Sequence, residues 1–310
     1  MLQTIAEHPS PSMVAERCAR HGVLTFDIEE WFQVENLRAV FPRASWDDRP
    51  RRVGDGTRVV LDLLESHGVR ATFFVLGWVA EREPALVRDI AERGHEVACH
   101  GYGHVLPMQL TEREFRDDLM RSRQALEDIT GTPVVGYRAP SFSISERHLK
   151  ILAEYFFRYD SSFHPFALHR RYGRLAQLGA RLRAGVYRTD DGLIELALPV
   201  ERFGAASFPV SGGGYSRVLP AAVFRRLVAR ALVRDGHYVM YLHSWEFDPA
   251  QPRVTGARLG ARFRHYHNLA RTLPRMHRLI PLLKGLETRF VTAGEFVAGL
   301  LAPQGAGHGR

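Results

Sequence analysis

Residues 24–32 read LTFDIEEWF: an apolar, strand-like run ends in three carboxylates, Asp27, Glu29 and Glu30, followed at once by the aromatic pair Trp31 and Phe32. Acids at the end of a buried strand need partners, because an unpaired charge is expensive to bury. His100 and His104 in HGYGH stand four residues apart, a spacing that lets two imidazoles meet one metal ion. The glycines between them suggest a tight loop rather than a turn of helix. Two histidines and one carboxylate, with a position left open for water, make a typical catalytic zinc shell, and an acid from the first strand would complete it. Arg138 in YRAPSFS could keep a neighbouring carboxylate ionised and oriented. His243 in YLHSWEF is either a satisfied core histidine or an acid–base group.

The elements that must position these residues alternate between strand and helix. Strand-like segments are VLTFDI, VRATFFVLG, HEVAC, VVGYR, FFRYDSS, LIELAL, HYVMYLH and TRFVTA. Between them, 57–67 places Val59, Val60, Leu63 and Leu64 on one helical face and stops at Gly68. Pro84 opens a helix that Gly94 ends. Thr111 with Glu114, and Ser143 with Glu146, have the spacing of capping boxes for the two helices that follow. Pro220 opens another helix, and two more are expected near 268–284 and over AGEFVAGLLA. This order predicts an α/β fold with a mainly parallel sheet, closed or nearly closed into a barrel. No linker or internal repeat divides the chain, so one domain is expected. Asp27, His100, Arg138, Asp160 and His243 each come at or just past the C-terminal end of an apolar strand, where parallel barrels build their active sites.

Composition limits the alternatives. The 310 residues, 45% apolar and 25% charged, are those of an ordinary globular protein. Cys18 and Cys99 cannot form a disulfide framework, and free thiols in a reducing compartment are expected. The N-terminus, MLQTIAEHPSPSMVAERCARHG, has no apolar core of signal-peptide length and no run approaches a membrane span. The cytoplasm, at the inner face of the membrane if the substrate is there, is the expected site of action. The formal charge of +8 comes mostly from arginines crowded into 169–188 and 253–278. They form either a solvated surface or a site for an acidic glycan, a lipid diphosphate or a membrane face. No nucleic-acid module appears, so nucleic acid is not an expected partner. The run SGGGYSR lacks the spacing of a phosphate cradle.

In order along the chain, TFD at 25–27, H-x-x-x-H at 100–104, R-A-P at 138–140 and L-H at 242–243 resemble the polysaccharide deacetylase family, the NodB-homology group or carbohydrate esterase family 4. YDSSF, SGGGYSR, LHSWEFDP and RHYHNLARTLPRM are similar to the branch found in exopolysaccharide loci with an exosortase system. The resemblance covers roughly 22–300, leaving 1–21 as an extension and 301–310 as a tail. The stretch 166–216 stands as an insertion, and a branch-specific part begins at about 249. It implies a distorted (β/α) barrel, a divalent metal, usually zinc with other transition metals also suited, and removal of N-acetyl groups from hexosamines of a glycan. By position, it implies Asp27 as general base, His100 and His104 as metal ligands, Arg138 as the arginine holding the base, and His243 as general acid. The family's usual metal-binding aspartate falls at Ile28; members with the ligand one residue later point to Glu29. Asp160 is the nearest candidate to orient His243.

Chemically, a metal-activated water would attack the amide, Asp27 would take its proton, and a backbone N–H near Ser141 would help hold the oxyanion. His243 would protonate the departing amine. Trp31, Phe32, Trp78, Phe142 and Trp245 offer apolar faces that suit either sugar rings or the core. In an extended strand, residues two apart share a face, so Asp27 and Glu29 face one way and Glu30 the other; a bulge at Ile28 would exchange the two glutamates. A metal-free hydrolase of cyclic amides would be favoured by loss of the histidine pair, and a non-catalytic glycan-binding protein by loss of Asp27 or His243. All four residues are present.

Overall fold

The computed structural model describes residues 20–166, 173, 175–204 and 206–302. Cys18, most of the expected N-terminal extension, the end of the tail and part of the insertion lie outside the described residues.

The central strand is β1 (Arg20–Ile28), apolar and buried from Gly22 onward. β11 (His237–His243) runs parallel to it on one side, and β2 (Thr72–Val75) and β12 (Thr288–Phe290) run parallel on the other. The order β11-β1-β2-β3-β4-β5-β8 is parallel throughout, with β3 at Glu96–Cys99, β4 at Gly136–Tyr137, β5 at Tyr159–Asp160 and β8 at Ile194–Leu196. An antiparallel pair, β6 (Ala180–Arg183) and β7 (Val186–Arg188), extends the β8 edge, so the sheet curls into a half-barrel and does not close. β9 (Val200–Phe203) and β10 (Ala206–Pro209) form a separate ribbon. The barrel expected from the sequence is thus present in its distorted, open form.

Helices cover the sheet: α1 (Val53–Ser66), α2 (Gly77–Arg82), α3 (Pro84–Glu92), α4 (Glu112–Thr130), α5 (Glu146–Glu154), α6 (Gly213–Val218), α7 (Ala221–Asp235), α8 (Leu259–Tyr266), α9 (Thr272–Lys284) and α10 (Ala293–Leu301). The Thr111–Glu114 capping box forms as expected, and Gly131 closes α4 in the left-handed region. The second box does not: α5 is capped by Ser145 with His148, while Ser143 Oγ accepts from Met108 N and Glu146 Oε1 from Ala176 N.

Two departures bear on the site. α1 starts at Val53, four residues earlier than its apolar pattern suggests, through Gly54 and Gly56, which are poor helix formers. The cause is remote in sequence: the Glu30 carboxylate accepts hydrogen bonds from Arg52 N and Val53 N and so caps the helix from the end of β1. Gly56 then lies against the turn that follows β11, where an added Cβ would come 2.1 Å from Ser244 O. Ser244 Oγ in turn donates to Glu29 O at 2.8 Å. Gly56→Ala should therefore cost about 1–3 kcal/mol of stability through overpacking against backbone. Urea denaturation would measure it, and an unchanged midpoint would contradict this close approach.

Candidate active site

Strand register brings the reactive residues to one rim. Asp27 of β1 is paired with His243 of β11. Cys99 pairs with Tyr137, so His100 and Arg138 follow at adjacent strand ends, with Arg138 N donating to Cys99 O and His100 N to Val75 O. β1 keeps its register with β2 through Ile28 without a bulge. Glu29 accordingly faces the histidines and Glu30 turns away to α1, as strand alternation requires.

Arg138 is fully buried and spends its donors on four acceptors. Its Nη1 donates to Asp27 Oδ1 at 2.8 Å and Thr25 Oγ1 at 2.7 Å; Nε and Nη2 donate to Ser161 O and Ser161 Oγ, each at 3.0 Å. The guanidinium also lies 4.1 Å from the Phe74 ring centre. Asp27 is thereby locked to a permanent cation and cannot swing.

One oxygen of Glu29 is held and the other is not. Trp245 Nε1 donates to Oε1 at 3.0 Å, whereas Oε2 is buried, 2.7 Å from His104 Nε2, and has no hydrogen-bond partner. The donor atoms of Glu29, His100 and His104 lie within 4.8 Å of one another. His100 Nδ1 contacts Arg138 O at 2.8 Å; a carbonyl can only accept, so Nδ1 carries the proton and Nε2 presents its lone pair. Burial lowers the His100 pKa to about 4, which keeps the ring neutral. Burial alone would raise Glu29, but His104, and more weakly His243 and His100, hold it well below the usual carboxylate range. A neutral His100 presenting its Nε2 lone pair, His104 beside it, and an ionised carboxylate with an orphaned oxygen suit a zinc-class cation. The histidines are carried on a tight loop, as the glycines suggest, with Gly101 at φ +72° and His104 itself at φ +49°. α4 fixes that loop from outside, through Asp118 Oδ2 accepting from Tyr102 N and Ser122 Oγ donating to Gly101 O.

His243 stands opposite, its Nε2 3.8 Å from both Asp27 Oδ2 and Glu29 Oε1. Burial would lower its pKa; the hydrogen bond to Glu246 and the charges of Glu29, Glu246 and Asp27 raise it to about 9. The group that orients it is Glu246, whose Oε1 lies 2.9 Å from His243 Nδ1 and whose Oε2 accepts from Arg217 Nε at 2.9 Å. Burial would raise Glu246, and Arg217 and His243 hold it below its ordinary value.

Asp160, expected in that orienting role, does something else. It accepts from Ser162 Oγ at 2.6 Å and Ser162 N at 3.2 Å, and Ser162 Oγ accepts from Ala139 N at 2.8 Å, so Asp160 braces the stretch after Arg138. Its neighbour across the sheet is the buried Glu195. Burial and the Asp160 charge push Glu195 well above the carboxylate range, so the pair keeps a proton. Trp31 is a second correction. It is buried, donates to Pro50 O, and packs edge-on against Phe32 and Phe41 in the core, away from the site. Phe32 and Trp78 pack in the same aromatic cluster.

The site opens into a cavity of about 440 Å³, lined by Asp27, Glu29, His100, His104, Ser141 and His243 together with a largely apolar wall that includes Phe142, Phe208, Tyr215, Val218, Tyr241 and Trp245. Trp245 stacks on His243 at 5.0 Å, so it positions the imidazole as well as lining the cavity. Ser141 sits in the left-handed region at φ +52°. The glycine run serves this arrangement: a Cβ on Gly213 would meet Glu246 Oε2 at 2.2 Å, and one on Gly212 would meet Tyr241 Oη at 2.5 Å. Glu246 and Arg217 are the residues that sequence reasoning missed. The three-residue spacing of His243 and Glu246 was the available signal, since Glu246 also accepts from His243 N in a capping box.

Residues 44–159 match the polysaccharide deacetylase family, and residues 161–297 match a domain family of unknown function, DUF3473. The first of these segments holds His100, His104 and Arg138; Asp27 and Glu29 precede it, and His243, Glu246 and Arg217 lie in the second. A Bacillus cereus protein named peptidoglycan-N-acetylglucosamine deacetylase is 34% identical over 110 residues, covering 36% of this chain and 39% of that protein. The chain spans about two fifths or less of the length of the first relatives it matches. A crystal structure from Mycobacterium smegmatis assigned to the polysaccharide deacetylases has the same fold over the whole of both chains, with a TM-score of 0.60 and 22% identity. A carbohydrate esterase family 4 pseudoenzyme from Bacillus anthracis also shares it, with a TM-score of 0.51 and 15% identity over 90% of this chain and 66% of that one.

Two predictions follow from these environments. Glu29→Gln should weaken zinc binding by at least the roughly 10–100-fold typical of losing an outer-sphere partner. Glu30→Gln should keep the ion and lose about 1 kcal/mol of stability from the weakened cap. Metal content and denaturation midpoints of the two variants test this, and metal lost from the Glu30 variant alone would reverse the assignment. The second concerns the Asp160–Glu195 pair. An acid whose folded-state pKa is raised costs no stability below its unfolded pKa and costs progressively more as pH rises towards the folded value. Stability should therefore decline from about pH 4 upward through this pair, and Glu195→Gln should flatten that decline. An unchanged slope of stability against pH would contradict the retained proton.

Proposed function

With residues 44–159 matching the polysaccharide deacetylase family as the premise, we propose that the protein is a cation-dependent hydrolase that removes N-acetyl groups from hexosamine residues of an exopolysaccharide or its precursor. The observation that carries this reading is the meeting in one cavity of a cation-ready triad, an arginine-locked carboxylate and a carboxylate-oriented histidine. The name of the Bacillus cereus relative supports an N-acetylated hexosamine glycan as the substrate class.

A zinc-class cation held by Glu29, His100 and His104 would supply Lewis acidity, activating water and balancing charge on the acyl oxygen. Asp27 accepts the proton of the attacking water, and Arg138, 2.8 Å from its Oδ1, holds the carboxylate in place for that step. The acyl oxygen gains negative charge as the carbonyl is attacked, and a backbone N–H near Ser141, at the edge of the same cavity, is the proposed donor to it. His243 then gives a proton to the amine nitrogen, without which the C–N bond would expel an unstable anion. Glu246 fixes the tautomer for that step: with Nδ1–H donating to the carboxylate, Nε2 is the nitrogen that faces the reacting groups. Asp160, through Ser162, steadies the backbone beside Arg138 rather than taking part in proton transfer. Phe142 and Tyr215 offer aromatic side chains to the sugar rings, while Trp245, stacked on His243 and His265, holds the imidazole in place.

Purified protein should release acetate from N-acetylglucosamine oligomers when loaded with zinc, lose that activity on chelation and regain it on zinc addition. Asp27→Asn and His243→Ala should keep the cation and lower kcat by about 10²–10⁴-fold. Acetate release at the parent rate by His243→Ala would overturn the acid role, and release undiminished by chelation would overturn the cation.

A further inference from the structure

The segment from Pro249 to Leu286 contains seven arginines, one lysine and no acid. Among the described residues, none of these eight cations enters an ion pair, whereas arginines elsewhere commonly do, as Arg52, Arg82, Arg93 and Arg138 illustrate. The charge is concentrated: burial and the neighbouring cations Arg271, Arg217 and Arg225 lower the Arg275 pKa. In the same segment, Leu259 is 80% exposed and Phe263 is 53% exposed. They stand four residues apart on α8 and so share a face of that helix.

This surface borders the active site. Arg264 of α8 lines the cavity and reaches Asn36 Oδ1 at 3.4 Å, and Val218, another cavity residue, is 55% exposed. Arg275 donates to Leu219 O beside it. Glu35, an acid lining the same cavity, is already paired with Arg38. α8 is also tied directly to the acid–base machinery. The same Arg217 that holds Glu246 donates to the carbonyls of Arg264, His265 and His267 at the end of the helix.

We propose that this rim docks onto an anionic lipid bilayer. Leu259, Phe263 and Val218 enter the boundary between headgroups and acyl chains, while the unpaired arginines meet lipid phosphates. Exposed apolar side chains set among uncompensated cations have the chemistry of an interfacial surface. A leucine that exposed gains nothing from a soluble polyanion, which favours the bilayer over an acidic glycan. Docking in this way would aim the cavity at glycan carried on the membrane. That last step alone rests on the deacetylase reading; the docking can be measured without turnover.

The test is co-sedimentation of the full chain with vesicles of phosphatidylcholine containing about one third phosphatidylglycerol, against vesicles of phosphatidylcholine alone. Binding is expected only to the anionic vesicles and should weaken as salt rises. The double variant Leu259→Ser, Phe263→Ser should bind about tenfold more weakly or worse. Arg258→Gln and Arg271→Gln should each cost about fivefold. All these variants should keep parent thermal stability and parent acetate release from soluble oligomers. Equal binding to both vesicles, or undiminished binding by the double variant, would overturn the proposal. So would binding to a soluble acidic polysaccharide, such as polygalacturonate, with no binding to either vesicle. Loss of acetate release with vesicle binding intact would count against the deacetylase reading and leave the docking standing.

Discussion

Three buried carboxylates line the cavity and must each be compensated, and only two of them have a guanidinium. Asp27 is locked to Arg138 and Glu246 to Arg217. Glu29, as deeply buried, has Trp245 on one oxygen and only histidine near the other. An ionised carboxylate is costly to bury, and the imidazole whose pKa is raised, His243, lies 3.8 Å from Oε1 and equally close to Asp27, so its charge is shared between the two. The neutral His100 beside it cannot supply the missing charge. That deficit is the physical basis of the proposed cation site, and much of the surrounding structure serves it. The loop of His100 and His104 is braced by α4, His100 is turned by Arg138 O, and the end of β1 is tied to the turn after β11 through Ser244.

The candidate site is assembled by the whole chain. The segment that matches the polysaccharide deacetylase family contributes both histidines and Arg138, while Asp27 and Glu29 lie ahead of it. The DUF3473 segment contributes β11, and with it His243, Glu246, Arg217 and much of the apolar cavity wall. β11 pairs with β1 along seven residues and β1 pairs in turn with β2, so the strand ahead of both matched segments joins them in one sheet and one site. The glycines of SGGGYSR belong to the same construction, since they leave room for Glu246 and Tyr241. A pseudoenzyme shares this fold, so the fold alone does not establish activity, and any chemistry depends on the side chains at the rim.

Much of this was legible in the sequence because it depends on local rules. Strand alternation separates Glu29 from Glu30, apolar runs ending in Asp27, His100, Arg138 and His243 mark one end of a parallel sheet, and the Thr111 capping box opens α4. What the sequence obscured depends on contacts between distant segments. The early start of α1 comes from Glu30, which lies 22 residues before Arg52. The role of Arg217 becomes visible only when α6 meets the turn carrying Glu246. Asp160 sits at a strand end as a catalytic acid would, yet its neighbour Glu195 and the hydroxyl of Ser162 turn it into a brace. Trp31 follows the acids directly, but the aromatic packing of Phe32 and Phe41 draws it into the core.

Glu29 Oε2, buried without a hydrogen bond, is the atom that a cation at this site would satisfy. An anomalous difference map, recorded above the zinc absorption edge from crystals grown with zinc, would locate the ion without reference to activity. One strong peak shared by Glu29, His100 and His104 is expected, with Asp27 still on Arg138 and Glu30 still capping α1. A peak at Glu30, or no peak at this cluster at full zinc loading, would contradict it.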